Sequence, residues 1–213
     1  MDITTLVKKI TVGYVGFGIS ALLFAVAHVL NLPVWFDLTG TIFATVAGGW
    51  VCGLIVGILV SLFLCIYFMS WQSIFFFGAV LFPVIVTWLL LGKKFRIEKM
   101  TTKKFLIGWF DIGMTKVALV LLTNVVIWSI SGMHFTNDAW SETFSSFFIN
   151  NLGAGTTLAA VLAIILTNII DMLVVYPLAM IAVATYFKHV ENSKIIEAVR
   201  TAKQPVETNE TKK

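Results

Sequence analysis

Apolar residues run through this chain in long blocks, not in the alternations or one-sided stripes of a water-exposed fold. The blocks cover residues 10–31, 38–68, 73–91, 105–131 and 151–187, with short polar stretches between them. Blocks near 20 apolar residues match the thickness of a bilayer, so they predict membrane-spanning helices. Two blocks do not fit one helix each. At about 1.5 Å per residue, 38–68 would be a rod of about 46 Å against a hydrocarbon core of about 30 Å. Gly48-Gly49 lies near its middle, and glycine turns the backbone sharply without steric cost. The block is therefore expected as two helices, 38–48 and 50–68, the first too short to cross alone and so tilted or shielded by neighbours. The block 151–187 is too long for one perpendicular helix, and is expected to begin in an outer loop or to run past the inner face. Asn150-Asn151 and Gly153-Ala154-Gly155 predict a turn before it. Pro177 predicts a kink that neighbouring helices can tolerate.

Charge fixes the number of spans. Lys and Arg fall in three clusters: Lys8 and Lys9; Lys93, Lys94, Arg96, Lys99, Lys103 and Lys104; and Lys188, Lys194, Arg200, Lys203, Lys212 and Lys213. Only Lys116 lies elsewhere. Positive residues collect on the cytoplasmic side of membrane proteins. Six spans with both termini inside put all three clusters in the cytoplasm. The outer loops 31–38, 69–73 and 132–150 then hold no Lys or Arg, only Asp37, Asp138 and Glu142. Five spans would strand Lys8 and Lys9 outside. The expected fold is an all-α integral membrane protein with six transmembrane helices and cytoplasmic N and C termini. Its spans are 10–31, 38–48, 50–68, 73–91, 105–131 and 151–187. Residues 1–188 form the membrane domain, and 189–213 a cytoplasmic polar tail that starts as a short amphipathic extension and then loses order.

Composition agrees. Hydrophobic residues make up 59% of 213 positions, Phe alone 18 of them, and charged residues 12%; a soluble domain carries about 25% charge. The mean hydropathy is +0.95. The net charge of +4 is confined to the span-flanking clusters, which excludes nucleic acid as a partner. Cys52 and Cys65 have neither disulfide nor metal spacing and read as small apolar filler. Lys8-Lys9, an apolar run and Ala25-Val26-Ala27 imitate a cleavable signal peptide. The run is at the long end for one, and cleavage would leave five spans.

Three ionisable residues lie within spans: Asp111, Lys116 and Asp171. Each costs at least about 2.5–3.5 kcal/mol near a helix centre unless a partner, water or a ligand offsets it. Asp111 is close enough to Lys104 to reach the cytoplasmic interface. Lys116 and Asp171 sit mid-span on the last two helices, where they predict an ion pair. That pair either locks two helices or takes part in binding or conformational change. Asn124 and Trp128 continue the Lys116 face outward, and Asn168 precedes Asp171 by one turn. The resulting polar seam either glues the helices together or widens outward into a pocket. Trp35, Phe36, Trp71, Gln72, His134 and Trp140 suit an interfacial aromatic belt, with Trp35, beside Asp37, the best exception. His134 has no second His near it and is not a metal ligand. No phosphate loop, HExxH, Gly-x-Ser-x-Gly or paired-carboxylate motif is present. The chain is therefore not expected to be an enzyme, to need a cofactor, or to hydrolyse ATP itself.

Leu32-Pro33-Val34-Trp35-Phe36-Asp37-Leu38-Thr39-Gly40-Thr41, then Ala47-Gly48-Gly49-Trp50 and Gly53-xxx-Gly57, and finally Asp171-Met172-Leu173, resemble in residues and order the membrane-embedded substrate-binding (S) components of energy-coupling factor transporters. Met172 stands where family members carry Lys, so no role of that Lys transfers. Up to residue 188, length, span number and topology also fit. The resemblance implies a multi-pass protein of the bacterial plasma membrane. It would bind a vitamin or related micronutrient near the outer face and deliver it inward with a transmembrane coupling protein and two cytoplasmic ATPases. It places the pocket between the last three spans under the loop after the first, implicating Trp35, Asn124, Trp128 and Asn168. Stacking on Trp35 or Trp128 would suit a flat ring, such as a pyrimidine or pyridine vitamin. It also implies docking through small residues of the first helix: Gly18, Ala21 and Ala25 share one face. Internal helix packing would equally use them. Rival readings are a membrane-embedded small-molecule sensor, which a long cytoplasmic helix or domain would favour and the short tail after 188 argues against, a small membrane enzyme using Asp111, Lys116 and Asp171, for which too few polar groups cluster on the cytoplasmic side, and a secondary transporter, for which no inverted repeat is visible.

Overall fold

A computed structural model of the chain describes residues 3–69, 76–92, 100–131 and 139–202. Trp71, Gln72, Lys93, Lys94, Arg96, Lys99, His134, Asp138, Lys203, Lys212 and Lys213 lie outside them. Seven helices and no strand occur among the described residues: α1 (Ile3–Val29), α2 (Thr39–Gly48), α3 (Trp50–Phe68), α4 (Phe77–Leu91), α5 (Thr102–Ser131), α6 (Ala139–Leu152) and α7 (Thr156–Ala202). Four of them, α1, α3, α5 and α7, are long and apolar enough to cross a membrane; α2 and α4 are shorter apolar helices.

The break at Gly48-Gly49 is where the sequence puts it. Gly49 has φ 95°, a conformation that side chains oppose, and its N–H closes α2 on the Thr45 carbonyl. The chain then reverses into α3. The 10-residue α2 becomes the centre of the molecule: Thr39 to Val46 are all buried, and α1, α3, α4 and α7 pack around it. A short helix is tolerated there because its neighbours, not solvent or lipid, cover it.

Glycines set the tightest of these contacts. On α1, Val12, Gly16, Ser20, Phe24 and Ala27 form the buried stripe, at helical spacing. A methyl group on Gly40 of α2 would fall on the Gly16 carbonyl, and one on Gly16 would come within 2.8 Å of the Gly40 carbonyl. Ser20 completes the contact, accepting the Gly40 N–H and donating to the carbonyls of Phe36 and Asp37. Gly53 of α3 admits Thr45 in the same way. At the other end of α1, Phe24 packs on Trp35, Phe63, Tyr67 and Phe68, with ring centroids 5.1–6.4 Å apart. Such pairs add about 0.5–1.5 kcal/mol each beyond their buried area.

The polar composition of 132–150 predicts an outer loop, yet residues 139–152 form α6. Trp140, Ser141, Phe144, Ser145, Phe148 and Ile149 are its half-buried positions, a four-residue period that lays one face along α7. The aromatic spacing carried this signal; Ser and Asn between the rings obscured it. Gly153, at φ 63°, then turns the chain into α7. α7 starts at Thr156 and runs 47 residues through Pro177 to Ala202, about 70 Å, so the helix continues well beyond residue 187.

Candidate functional site

Sequence spacing brings Lys116 and Asp171 to one another, and the structure adds a third member. Lys116 Nζ lies 2.5 Å from Asp171 Oδ2 and 2.6 Å from Asp37 Oδ1. The three side chains are 3%, 0% and 12% exposed, in that order. Asp37 comes from the segment between α1 and α2, 79 residues from Lys116, and sequence reasoning left it in an outer loop without a partner. The available signal was position: Asp37 is an acidic residue in a short, largely apolar loop.

The loop 30–38 is bound to the helices by its backbone as well. Asp171 Oδ1 accepts the N–H of Trp35 at 2.6 Å and of Phe36 at 3.4 Å. Asn31 adopts φ 50° and ends α1 as a left-handed cap, with its own N–H on the His28 carbonyl and the Leu32 N–H on that of Ala27. Phe36 has φ 56°, a conformation costing about 1–3 kcal/mol for a bulky residue and retained only where surrounding bonds enforce it. Here Asp171, Lys116 and Ser20 supply those bonds. Trp140 of α6 donates its indole N–H to the Asn31 carbonyl, so α6 holds the loop from the other side.

The remaining seam residues are distributed unevenly. Asn124 is 2% exposed and donates to the Val120 carbonyl of its own helix. Asn168 is half-buried and donates to Ile164 in the same manner. Thr123 and Thr167 are also buried on α5 and α7, and Thr167 donates to the Ala163 carbonyl and meets Ser141 of α6. Sequence reasoning missed both threonines, because Thr is common as helix filler. Trp128 is half-buried against the small cluster of Ala79, Val120 and Ile164 from α4, α5 and α7. The Trp35 ring instead packs on Phe24 and Phe68 near α1 and α3; its backbone, not its ring, touches the ion cluster. Asp111 is half-buried five residues before Lys116 and outside that cluster. Among the described residues no group of His, Cys, Asp and Glu could hold a metal ion.

The predicted docking face is set apart from all of this. Gly18 and Ala25 are exposed and Ala21 half-buried. Apart from its own stretch of helix backbone, nothing among the described residues lies within 4 Å of where a Gly18 side chain would begin. Internal packing of α1 therefore uses Gly16 and Ser20, not Gly18.

Energetically the ion cluster is expensive. Burying an ion pair gains little over an apolar pair of equal volume, while removing one partner costs about 3–5 kcal/mol. What the cluster provides is placement: it joins the α1–α2 loop, α5 and α7 at one point. Comparisons with family models, with curated proteins and with solved structures found no match to this chain.

Proposed function

We propose that the chain spans the membrane six times with both termini inside, and serves as the substrate-binding subunit of an energy-coupling factor type importer. It captures a small vitamin-like molecule at the outer face and passes it inward with a coupling protein and two ATPases. One observation carries the reading: a buried polar seam between α5 and α7, with the Asp37 loop held over it by Lys116 and Asp171. Polar groups at that depth are costly and mark pathways or binding sites by default. Two features support it further. The six apolar helices α1, α2, α3, α4, α5 and α7 follow the order expected from the sequence, with α2 shielded by its neighbours. The small-residue face of α1 at Gly18, Ala21 and Ala25 is open, and small residues let a second helix approach closely.

Native mass spectrometry of the protein purified from its host membranes tests the proposal. The expected spectrum contains a retained small molecule, and also a species carrying a membrane partner with two ATPases. Ala21→Phe with Ala25→Phe is expected to remove the partner species and abolish uptake. Uptake that survives the double substitution would refute the docking assignment. A sensor is the second reading, favoured by the continuation of α7 to Ala202, past the apolar block that ends at residue 187. It predicts a signalling protein in place of ATPases among the co-purified partners.

A further inference from the structure

We infer that the molecule taken up in the seam is a small organic cation carrying N–H donors, held by Asp37. The inference rests on the capture reading above and specifies its substrate class. The first observation is a charge imbalance. With each group in its ordinary charge state, Asp37 and Asp171 against Lys116 leave one net negative charge in a cluster no member of which is more than 12% exposed. Uncompensated charge at such burial is strongly unfavourable, and a bound monocation neutralises it.

The second observation is which atoms remain open. Asp171 is filled: Oδ1 accepts Trp35 and Phe36, and Oδ2 accepts Lys116. Asp37 Oδ1 accepts Lys116 and the Leu38 N–H. Asp37 Oδ2 accepts no hydrogen bond from a described residue, and Asp37 is the most exposed of the three. One turn along α7 from Asp171, the Asn168 amide donates to Ile164, which fixes its orientation. Its Oδ1 likewise accepts nothing from a described residue. Two acceptors thus await donors, one of them charged. The sequence points the same way: segments 31–38, 69–73 and 132–150 contain Asp37, Asp138 and Glu142 and no Lys or Arg, so on the proposed topology the capturing side carries negative charge, which concentrates cations. A protonated amine or amidine meets all three conditions. A carboxylate ligand would face Asp37 with like charge, and a neutral ring would leave the imbalance standing.

The test is ligand-induced thermal stabilisation and titration of the full-length protein in detergent, using pairs of similar shape that differ in charge. Pyridoxamine is compared with pyridoxine, and benzamidine with benzamide; thiamine, riboflavin, nicotinamide, pantothenate and biotin extend the range. The cationic member of each pair is expected to bind at least about tenfold tighter, the size of one modest charge contact. Asp37→Asn should erase that preference and Asp37→Glu keep it. Should Asp37→Asn fail to fold, the wild-type pairs and Asp37→Glu carry the test. Equal or tighter binding of a neutral or anionic member overturns the cation assignment and leaves the capture reading intact. A preference that persists in folded Asp37→Asn also overturns it. Binding of none of these probes, with no small molecule retained in the native spectrum, counts against both.

Discussion

The α1–α2 contact and the α5–α7 contact solve the same problem with opposite materials. At the first, Gly16 and Gly40 remove every side-chain atom, so two backbones meet directly and Ser20 stitches them together. At the second, Lys116 and Asp171 pair across the helices, and Thr123, Asn124 and Thr167 are further buried polar groups on the same two helices. The first contact is close to the cheapest way to pack helices in lipid. The second is among the dearest, and a helix pair that merely had to stay together would not require it. The glycines pack helix on helix, whereas the seam ties the α1–α2 loop to α5 and α7 and is where the proposed capture would act.

Substitutions can break this contrast in order of size. Lys116→Met leaves two buried carboxylates facing one another, so a loss of about 3–5 kcal/mol is expected, read as collapse of folded yield and thermal stability. The exchange of Lys116→Asp with Asp171→Lys should recover only part of that loss, since a lysine at 171 cannot accept the Trp35 and Phe36 N–H groups. Full recovery would show that the loop contacts contribute nothing.

Gly40→Ala is the counterpart on the structural side. Its methyl group meets backbone on α1, which cannot swing aside, so destabilisation of about 1–3 kcal/mol or more is expected from overpacking. Gly18→Ala, on the same helix two residues from Gly16, should leave the melting temperature of the isolated protein unchanged. Equal effects at Gly16 and Gly18 would contradict the assignment of inner and outer faces. The smallest effect belongs to Trp140→Phe, which keeps an aromatic side chain but loses the indole N–H donated to Asn31. About 1 kcal/mol is expected, seen as faster hydrogen exchange in residues 30–38 before any global change.

Much of this was legible in the residues. The Gly48-Gly49 break, the limits of α2 and α3 and the meeting of Lys116 with Asp171 follow from block length, glycine chemistry and helical spacing. These are local or pairwise signals. Asp37 escaped because its partner lies 79 residues away on another helix, and a charge near an apolar boundary shows no partner until the fold closes over it. α6 escaped because its aromatic stripe is diluted by Ser and Asn. The roles of Trp35 and Asn124 also needed coordinates: one contributes its backbone to the cluster, and the other donates to its own helix.

The division of labour between seam and α1 face can be measured in one comparison. Native mass spectra would be recorded for the wild type, for Asn124→Ala with Asn168→Ala, and for Ala21→Phe with Ala25→Phe, all purified from host membranes. The seam variant should lose the retained small molecule and keep its protein partners; the α1 variant should keep the molecule and lose the partners. A seam variant that retains the molecule, or two variants that lose molecule and partners together, would contradict the account.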